Sequence, residues 1–413
     1  MSDEETVDAT PEPASLGSDS DGRQQPKEEE EQLLMRISKQ RELIDGLPPG
    51  DTRADARGRA PHQRRLGQLE FKYQMMVERK RLASELLKFQ EVYGDPYSEP
   101  CLICLEDIRV NVSEKLTLLL FCCGGFVCES CARDMRESGV GLVKCPLCRE
   151  SLDGTEAERA EQLMALAKRG VVWAQSNVGK CMIHGIGGFE KQEMSGLEWV
   201  NKAAAQDYPC ALFELSTLHL DGLKSLLRMS QEKANELLLK AANLGYALAN
   251  TKLAANYLQG DGFEKNPDEA YFRASVAFAL DSTDEQAAFM LGCFHYEKAV
   301  PEPSPYLACY YLNIKASKDT DGVASFFYIK SLLRLAEHLH DGNIVNGYNA
   351  MPAAFFWIRK LRDIGYEDAM GALEGLESRG QKSCANCSKR AETGEKYKHC
   401  SKCRAQWYCS KEC

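Results

Sequence analysis

The chain has 413 residues, of which 44% are hydrophobic, and carries 61 acidic against 51 basic side chains for a formal charge of −10. That length accommodates two or three domains, and the longest apolar run near the cysteine-rich segment, Leu118 to Cys123, is far too short to span a membrane. The charge is uneven: residues 1–31 hold eleven acidic and two basic residues, so the remainder is near neutral and does not read as a nucleic-acid-binding body. No apolar segment follows a basic start, so the sequence predicts an intracellular protein, cytoplasmic or nuclear and not secreted.

Residues 1–31 are rich in Glu, Asp, Ser and Pro and read as a disordered acidic tail. A helical lead-in is predicted over 32–96. Its first helix carries Leu33, Leu34, Ile37, Leu43 and Ile44 on a loose stripe and stops at Pro48-Pro49-Gly50. A longer helix is predicted from about Arg65 to Tyr93, where Leu66, Leu69, Tyr73, Met76, Ala83 and Leu87 recur at steps of three and four and Lys80 interrupts the seam. The simplest partner for this stripe is the cysteine-rich module that follows; a self-associating coiled coil is the alternative. The basic run Arg53 to Arg81 reads as a solvated helix face.

Between residues 97 and 152 lie Cys101-Leu-Ile-Cys104, Cys122-Cys123, Cys128-Glu-Ser-Cys131 and Cys145-Pro-Leu-Cys148. A C-x2-C knuckle supplies two thiolates from one tight turn, and zinc takes four soft or borderline ligands in a tetrahedron. Eight thiolates therefore make two complete zinc shells. A disulfide framework is disfavoured, because a reducing compartment is expected and clustered C-x2-C pairs there read as metal sites.

From 155 to 378 an Ala-x3-Leu-small pattern recurs at Ala174/Val178/Gly179, Ala211/Leu215/Ser216, Ala249/Leu253/Ala254 and Ala287/Leu291/Gly292, in steps of 37, 38 and 38 residues. Weaker copies start at Ser331 and Ala369, and Gly185, Gly222, Gly260 and Gly342 follow copies at one fixed interval. Glu-Trp-Val-Asn-Lys at 198–202 aligns with Phe-Trp-Ile-Arg-Lys at 356–360, and Tyr208 with Tyr366. Two helices and a Gly turn per unit predict an α-solenoid in which small residues let helices approach closely. Cys181, Cys210, Cys293 and Cys309 lack metal spacing and read as small core residues; His184, His219 and His295 are isolated. Gly185-Ile-Gly-Gly188 is no phosphate loop, since no strand precedes it and no Lys-Ser/Thr follows. The sequence ends in a second cysteine cluster over 384–413: Cys384, Cys387, Cys400, Cys403, Cys409 and Cys413.

The repeats resemble the Sel-one-like repeat, a relative of the tetratricopeptide repeat, which implies a surface for protein substrates or partners. The segment from Cys400 to Cys413 looks like a MYND zinc finger whose closing stretch, with a His and a final Cys, is missing. That resemblance implies one zinc on Cys384, Cys387, Cys409 and Cys413, with Cys400 and Cys403 holding half of a second site. The expectation is a fragment or an incomplete finger.

The first cysteine module resembles a RING domain of the all-cysteine variety. Its cross-braced scheme implies one Zn2+ on Cys101, Cys104, Cys128 and Cys131 and another on Cys122, Cys123, Cys145 and Cys148. The common pattern would put a His at Gly125; here Cys122 and Cys123 would both be ligands, or one a ligand and the other a spectator thiol. The family also implies a ubiquitin-conjugating enzyme as partner, met by Ile103, Met135, Pro146 and Arg149. No catalytic residue is expected. The predicted fold is mainly α: a solenoid of two-helix repeats flanked by two small zinc-stabilised modules. The implied function is a RING-type ubiquitin ligase that recruits substrate on the repeats; the alternative is a non-enzymatic zinc-binding adaptor.

Overall fold

A computed structural model describes residues 25–48, 53–109, 117–137, 144–223, 226–297, 302–338, 350–382, 391–392, 395–401 and 407–408. Two N-terminal helices, α1 (Gln25–Asp45) and α2 (Arg53–Tyr93), precede the cysteine segment. That segment holds β1 (Glu99–Pro100), β2 (Asp107–Ile108), β3 (Thr117–Leu119), β4 (Phe126–Cys128) and α3 (Glu129–Glu137), with β1 antiparallel to β2 and β3 to β4. The solenoid helices are α4 (Glu156–Lys168), α5 (Val172–His184), α6 (Glu193–Ala204), α7 (Pro209–Asp221), α8 (Gln231–Asn243), α9 (Ala247–Gln259), α10 (Pro267–Leu280), α11 (Glu285–Glu297), α12 (Pro305–Ala316), α13 (Val323–His338), α14 (Ala350–Asp363) and α15 (Ala369–Gly380). A short hairpin, β5 (Lys398–His399) with β6 (Trp407–Tyr408), ends the described chain. Among the described residues no helix is long and apolar enough to cross a membrane. The residues group into two compact units, Arg81–Leu291 and Met1–Lys80 with Gly292–Cys413.

The predicted mainly α solenoid is present. In the first unit Ala174, Val178, Ala211, Leu215, Ser216, Ala249, Leu253, Ala254, Ala287 and Leu291 are all buried; in the second, Ser331, Leu335, Ala336, Ala369 and Leu373 are. One hydrogen bond recurs at the same place in three repeats: the amides of Gln192, Ser230 and Asn266 donate to the carbonyls of Met182, His219 and Tyr257. Each carbonyl sits eight residues after the repeat alanine. Gly185 and Gly260 take the left-handed conformation that ends their helices, whereas Gly222 pairs a positive φ of 73° with an extended ψ of 161°. Gly342 lies outside the described residues. The repeated Trp-x2-Lys pattern recurs as a contact: the Lys202 ammonium lies 4.2 Å from the Trp199 ring centre, and Lys360 lies 4.5 Å from that of Trp357. The four repeat cysteines are half-buried rather than fully buried.

The lead-in departs from the sequence reading. Helix α1 begins at Gln25, so Glu28–Glu31 are helical and not part of a disordered tail; Glu29 and Glu30 pair with Lys72 and Lys80. The rest of the tail and the Pro49-Gly50 stop lie outside the described residues. Helix α2 begins at Arg53, not near Arg65. Pro61 and the lack of apolar periodicity before Leu66 hid its first turns. Leu66, Tyr73 and Met76 pack with buried Leu33, Ile37 and Leu69, but Leu87 is 61% exposed while Leu82, Leu86 and Phe89 are buried.

Among the described residues, the helix is hydrogen-bonded to solenoid helices. In the first unit Arg81 donates to Ser275 Oγ at 2.9 Å, and buried Arg273 donates to Tyr93 Oη at 2.7 Å. Arg273 also binds Glu269, Asn243 and Asn250, so its charge is paired and its donors are used. In the second unit Glu70 accepts from Tyr306 Oη at 2.8 Å, and buried Glu78 from Tyr311 Oη at 2.5 Å.

The repeat packing has a direct test. A Cβ on Gly179 would lie 2.5 Å from Val200 Cγ2 and 2.8 Å from the Gly196 carbonyl oxygen, whereas one on Gly371 would meet nothing within 4 Å. Gly179→Ala should cost about 1–3 kcal/mol by overpacking. Gly371→Ala should be neutral or add up to about 1 kcal/mol through helix propensity. Urea denaturation followed by helix signal checks both; equal effects at the two sites would refute the close-approach account.

Candidate metal centres and the repeat surface

Three turns of the cysteine module share one backbone design. In each, the amide of a first residue donates to the carbonyl five residues on, and the amide four residues on donates back to the first carbonyl. The pairs are Cys101 with Glu106 and Leu105, Leu120 with Gly125 and Gly124, and Cys145 with Glu150 and Arg149. The fourth-on residue is left-handed every time: Leu105 at φ 62°, Gly124 at 84° and Arg149 at 65°. For Leu and Arg that conformation costs about 1–2 kcal/mol, so the surroundings must enforce it.

These turns bring eight thiols into two groups. Cys101, Cys104, Cys128 and Cys131 form one; Cys122, Cys123, Cys145 and Cys148 form the other, with all sulfurs in each group within 4.8 Å of one another. Measured separations are 3.9 Å for Cys104–Cys128, 3.5 Å for Cys122–Cys123, 3.1 Å for Cys123–Cys145 and 3.5 Å for Cys123–Cys148. Four thiolates around zinc would stand ~3.8 Å apart, given a metal–sulfur bond of about 2.3 Å. Amides of Ile103 and Cys128 point at Cys101 Sγ, each at 3.4 Å, and that of Cys131 points at Cys128 Sγ at 3.5 Å. Burial opposes the Cys101 thiolate, yet the amides of Cys128, Cys104 and Ile103 pull its pKa down to about 6. Cys122 is pushed up to about 11 by burial and by its thiol neighbours Cys148 and Cys145. Crowded thiols cannot all ionise unless a cation joins them, and this donor set fits a thiophilic divalent metal. Either cluster could hold a metal ion.

Position 125 is closely packed. A Cβ on Gly125 would fall 2.2 Å from Leu102 Cδ1, so any side chain there displaces Leu102 from its packing. The second group takes its extra sulfur from Cys122.

The remaining predicted residues of the first module lie on two turns and α3. Ile103, Pro146 and Arg149 are exposed on the first and third turns, and Met135 is half-buried on α3. Leu105 and Leu147, which the sequence reading did not single out, are 75% and 54% exposed beside them. A signal existed, because both occupy the same turns as Ile103 and Arg149. Of the C-terminal cysteines, Cys400 is described and half-buried; Cys384, Cys387, Cys403, Cys409 and Cys413 lie outside the described residues. His184 lies 3.3 Å from Glu214, and His295 is buried in α11 against Tyr311.

The sequence reading missed the attachment of both cysteine modules. In the first unit, the Trp173 indole N–H donates to the Gly124 carbonyl at 2.8 Å, and its ring meets Phe121 and Phe126 edge-on. In the second, Trp407 is buried against Phe355 and the Cα of Gly380.

A family model for the Sel1 repeat matches residues 174–208, 211–246 and 247–272. The chain contains Sel1 repeats. The first two matches begin at Ala174 and Ala211, in the register of the buried alanines. Among curated proteins, the chain is 34% identical over 76 residues to a chitin synthase regulator (SKT5) of Malassezia restricta, covering 18% of this chain and 5% of that one. It is 31% identical over 130 residues to chitin synthase regulatory factor 3 of Schizosaccharomyces pombe, covering 31% and 14%. The matched stretch is thus a small part of both relatives. Among solved structures, a Sel1 repeat protein from Oxalobacter formigenes is 20% identical with a TM-score of 0.40, covering 51% of this chain and 80% of that one. A protective antigen of uropathogenic Escherichia coli is 15% identical with a TM-score of 0.38, covering 88% and 76%. Sel1 repeats generally mediate protein–protein interaction, and the repeats here form a scaffold of that kind.

The second cluster generates a specific expectation. If Cys122 and Cys123 are both ligands, Cys122→Ser and Cys123→Ser should each lower the metal content of the purified chain by about one ion. Elemental analysis would expose a spectator thiol as the variant that keeps full metal.

Proposed function

We propose that the cysteine module binds two zinc ions in the cross-braced arrangement and works as a RING-type ubiquitin ligase module, with the Sel1 repeats holding the substrate. The observation that carries this reading is the interleaving of the two thiol groups through three turns of one design. Metal-organised turns of this kind leave their third and fifth residues outside the ligand set. Here those residues are Ile103 and Leu105 on the first turn and Leu147 and Arg149 on the third, all exposed. Together with Pro146 and half-buried Met135, they would offer a ubiquitin-conjugating enzyme an apolar rim and one exposed guanidinium. Arg suits that place because its planar fork can donate to two carbonyls at once. Zinc would supply structural rigidity. All eight thiols are taken up by the two groups, so ubiquitin would pass from the conjugating enzyme to substrate without an intermediate on this module.

The competing reading is an adaptor in which the module is only a zinc-stabilised brace and the repeats do all the binding. The exposed rim favours the ligase, and the Sel1 match is neutral between the two. On the C-terminal side we propose zinc on Cys384, Cys387, Cys409 and Cys413, with Cys400 and Cys403 in a second, half-complete site. An intracellular, cytoplasmic or nuclear setting belongs to the same reading.

Ubiquitin-transfer assays with a panel of conjugating enzymes separate ligase from adaptor. Ile103→Ala and Arg149→Ala should abolish transfer yet keep zinc, because a central interface truncation costs about 2 kcal/mol or more and weakens a transient encounter over tenfold. Cys101→Ser should lose both. A wild-type chain that transfers no ubiquitin with any conjugating enzyme, while its repeats still capture partners, would leave the adaptor.

A further inference from the structure

The two outer turns of the cysteine module and the middle one differ in how they can be held. Cys101 and Cys104, like Cys145 and Cys148, occupy the first and fourth positions of their turns, so one metal would clamp each turn at two separated points. The middle turn has Leu120 in its first position, fully buried, and offers the adjacent pair Cys122 and Cys123 instead. One metal would grip it only at its middle.

What grips the rest of that turn comes from the first Sel1 repeat. Trp173, 4% exposed, is the second residue of α5 and directly precedes the repeat alanine Ala174. Its indole N–H donates at 2.8 Å to the carbonyl of Gly124, the residue next to Cys123. Its ring packs edge-on against Phe121, next to Cys122, with centroids 5.7 Å apart, and against Phe126 at 6.0 Å. Leu166 of α4 and Val171 complete the seat: a Cβ on Gly124 would lie 3.1 Å from Leu166 Cδ2 and 3.3 Å from Val171 Cγ2. Gly124 is left-handed, so a substitution there would be strained for a second reason.

We propose that Trp173 is a positioning residue for the Cys122/Cys123/Cys145/Cys148 cluster, so that metal binding there and folding of the first Sel1 repeat stabilise each other. This rests on the reading that the cluster holds a metal. Partners that orient ligands without touching the metal commonly contribute ten- to a hundredfold to its affinity. The coupling is reciprocal: whatever the repeat adds to metal binding, the metal adds to the repeat. In a solenoid the effect should be greatest at α4 and α5 and fade along the following repeats. The Cys101/Cys104/Cys128/Cys131 cluster should respond much less.

Cobalt titration of the full, reduced, metal-free chain tests this, because thiolate-to-cobalt absorption reports ligation itself. Cys145→Ser and Cys104→Ser identify the component from each cluster. Trp173→Phe keeps an aromatic ring and removes the N–H donor. It should weaken the component missing in Cys145→Ser by about ten- to a hundredfold and leave the component missing in Cys104→Ser unchanged. Cobalt binding by Trp173→Phe that matches the wild type in both components would overturn the proposal. Absence of a component that Cys145→Ser removes from the wild-type chain would instead sink the metal reading on which it rests. Should Trp173→Phe not fold, hydrogen exchange on the wild-type chain decides. Zinc removal should strip protection from α5 amides while those of α9 keep theirs, and unchanged α5 protection would refute the coupling.

Discussion

Neighbouring solenoid helices meet at residues that have almost no side chain, and that constraint organises the rest. Gly179 faces Gly196 and Val200 so closely that a methyl group on it would overlap both, and Gly292 faces Leu312 in the same manner. The fully buried alanines at 174, 211, 249 and 287 extend this along the chain. Close approach packs the two helices of one repeat directly on each other, as α5 and α6 do, and each repeat then stacks on its neighbour. Helix ends then need fixed reversals. The bonds from Gln192, Ser230 and Asn266 to the preceding helix supply them at one recurring position.

In each unit a cysteine-rich segment meets repeat helices through a tryptophan. The direction differs. Trp173 belongs to the repeat and reaches into the module; Trp407 belongs to the C-terminal hairpin and reaches into α14 and α15. Both rings are buried; Gly380 provides the space Trp407 needs, and Gly124 makes room for Leu166 and Val171 beside Trp173. Terminal repeats of solenoids require a covering because their outer faces would otherwise expose core residues.

The repeat register was legible because it depends on identity at fixed spacing. Ala, Leu and small residues recur where packing demands them, and the family match falls in the same frame. The C-x2-C pairs were legible for a related reason, since knuckle spacing is set by local turn geometry, whereas which pairs share a group was only implied by the resemblance to a RING domain. Partner choice was not legible. Helix α2 has an apolar stripe that only says it packs somewhere. Its attachment is written in polar residues, Arg81 to Ser275 and Arg273 to Tyr93, with Glu70 and Glu78 binding tyrosines in the other unit. Buried charged groups need such partners, but no spacing rule connects residues separated by nearly two hundred positions. Trp173 was hidden for the same reason, because it stands beside Ala174 in an otherwise ordinary repeat.

The same distinction bears on function. A zinc module on a flexible tether would sample many orientations, and substrate held by the repeats would meet a conjugating enzyme only by chance. Three contacts from one buried indole, backed by Leu166 and Val171, hold the module's middle turn on the first repeat. Fixed geometry of this sort raises the effective concentration of a held substrate near the transferring enzyme, and no new binding contact is needed. It also makes distance along the array meaningful. A partner bound at the first repeats would lie nearer the proposed docking rim than one bound several repeats away, so the repeat that captures a substrate would govern which of its lysines can be reached.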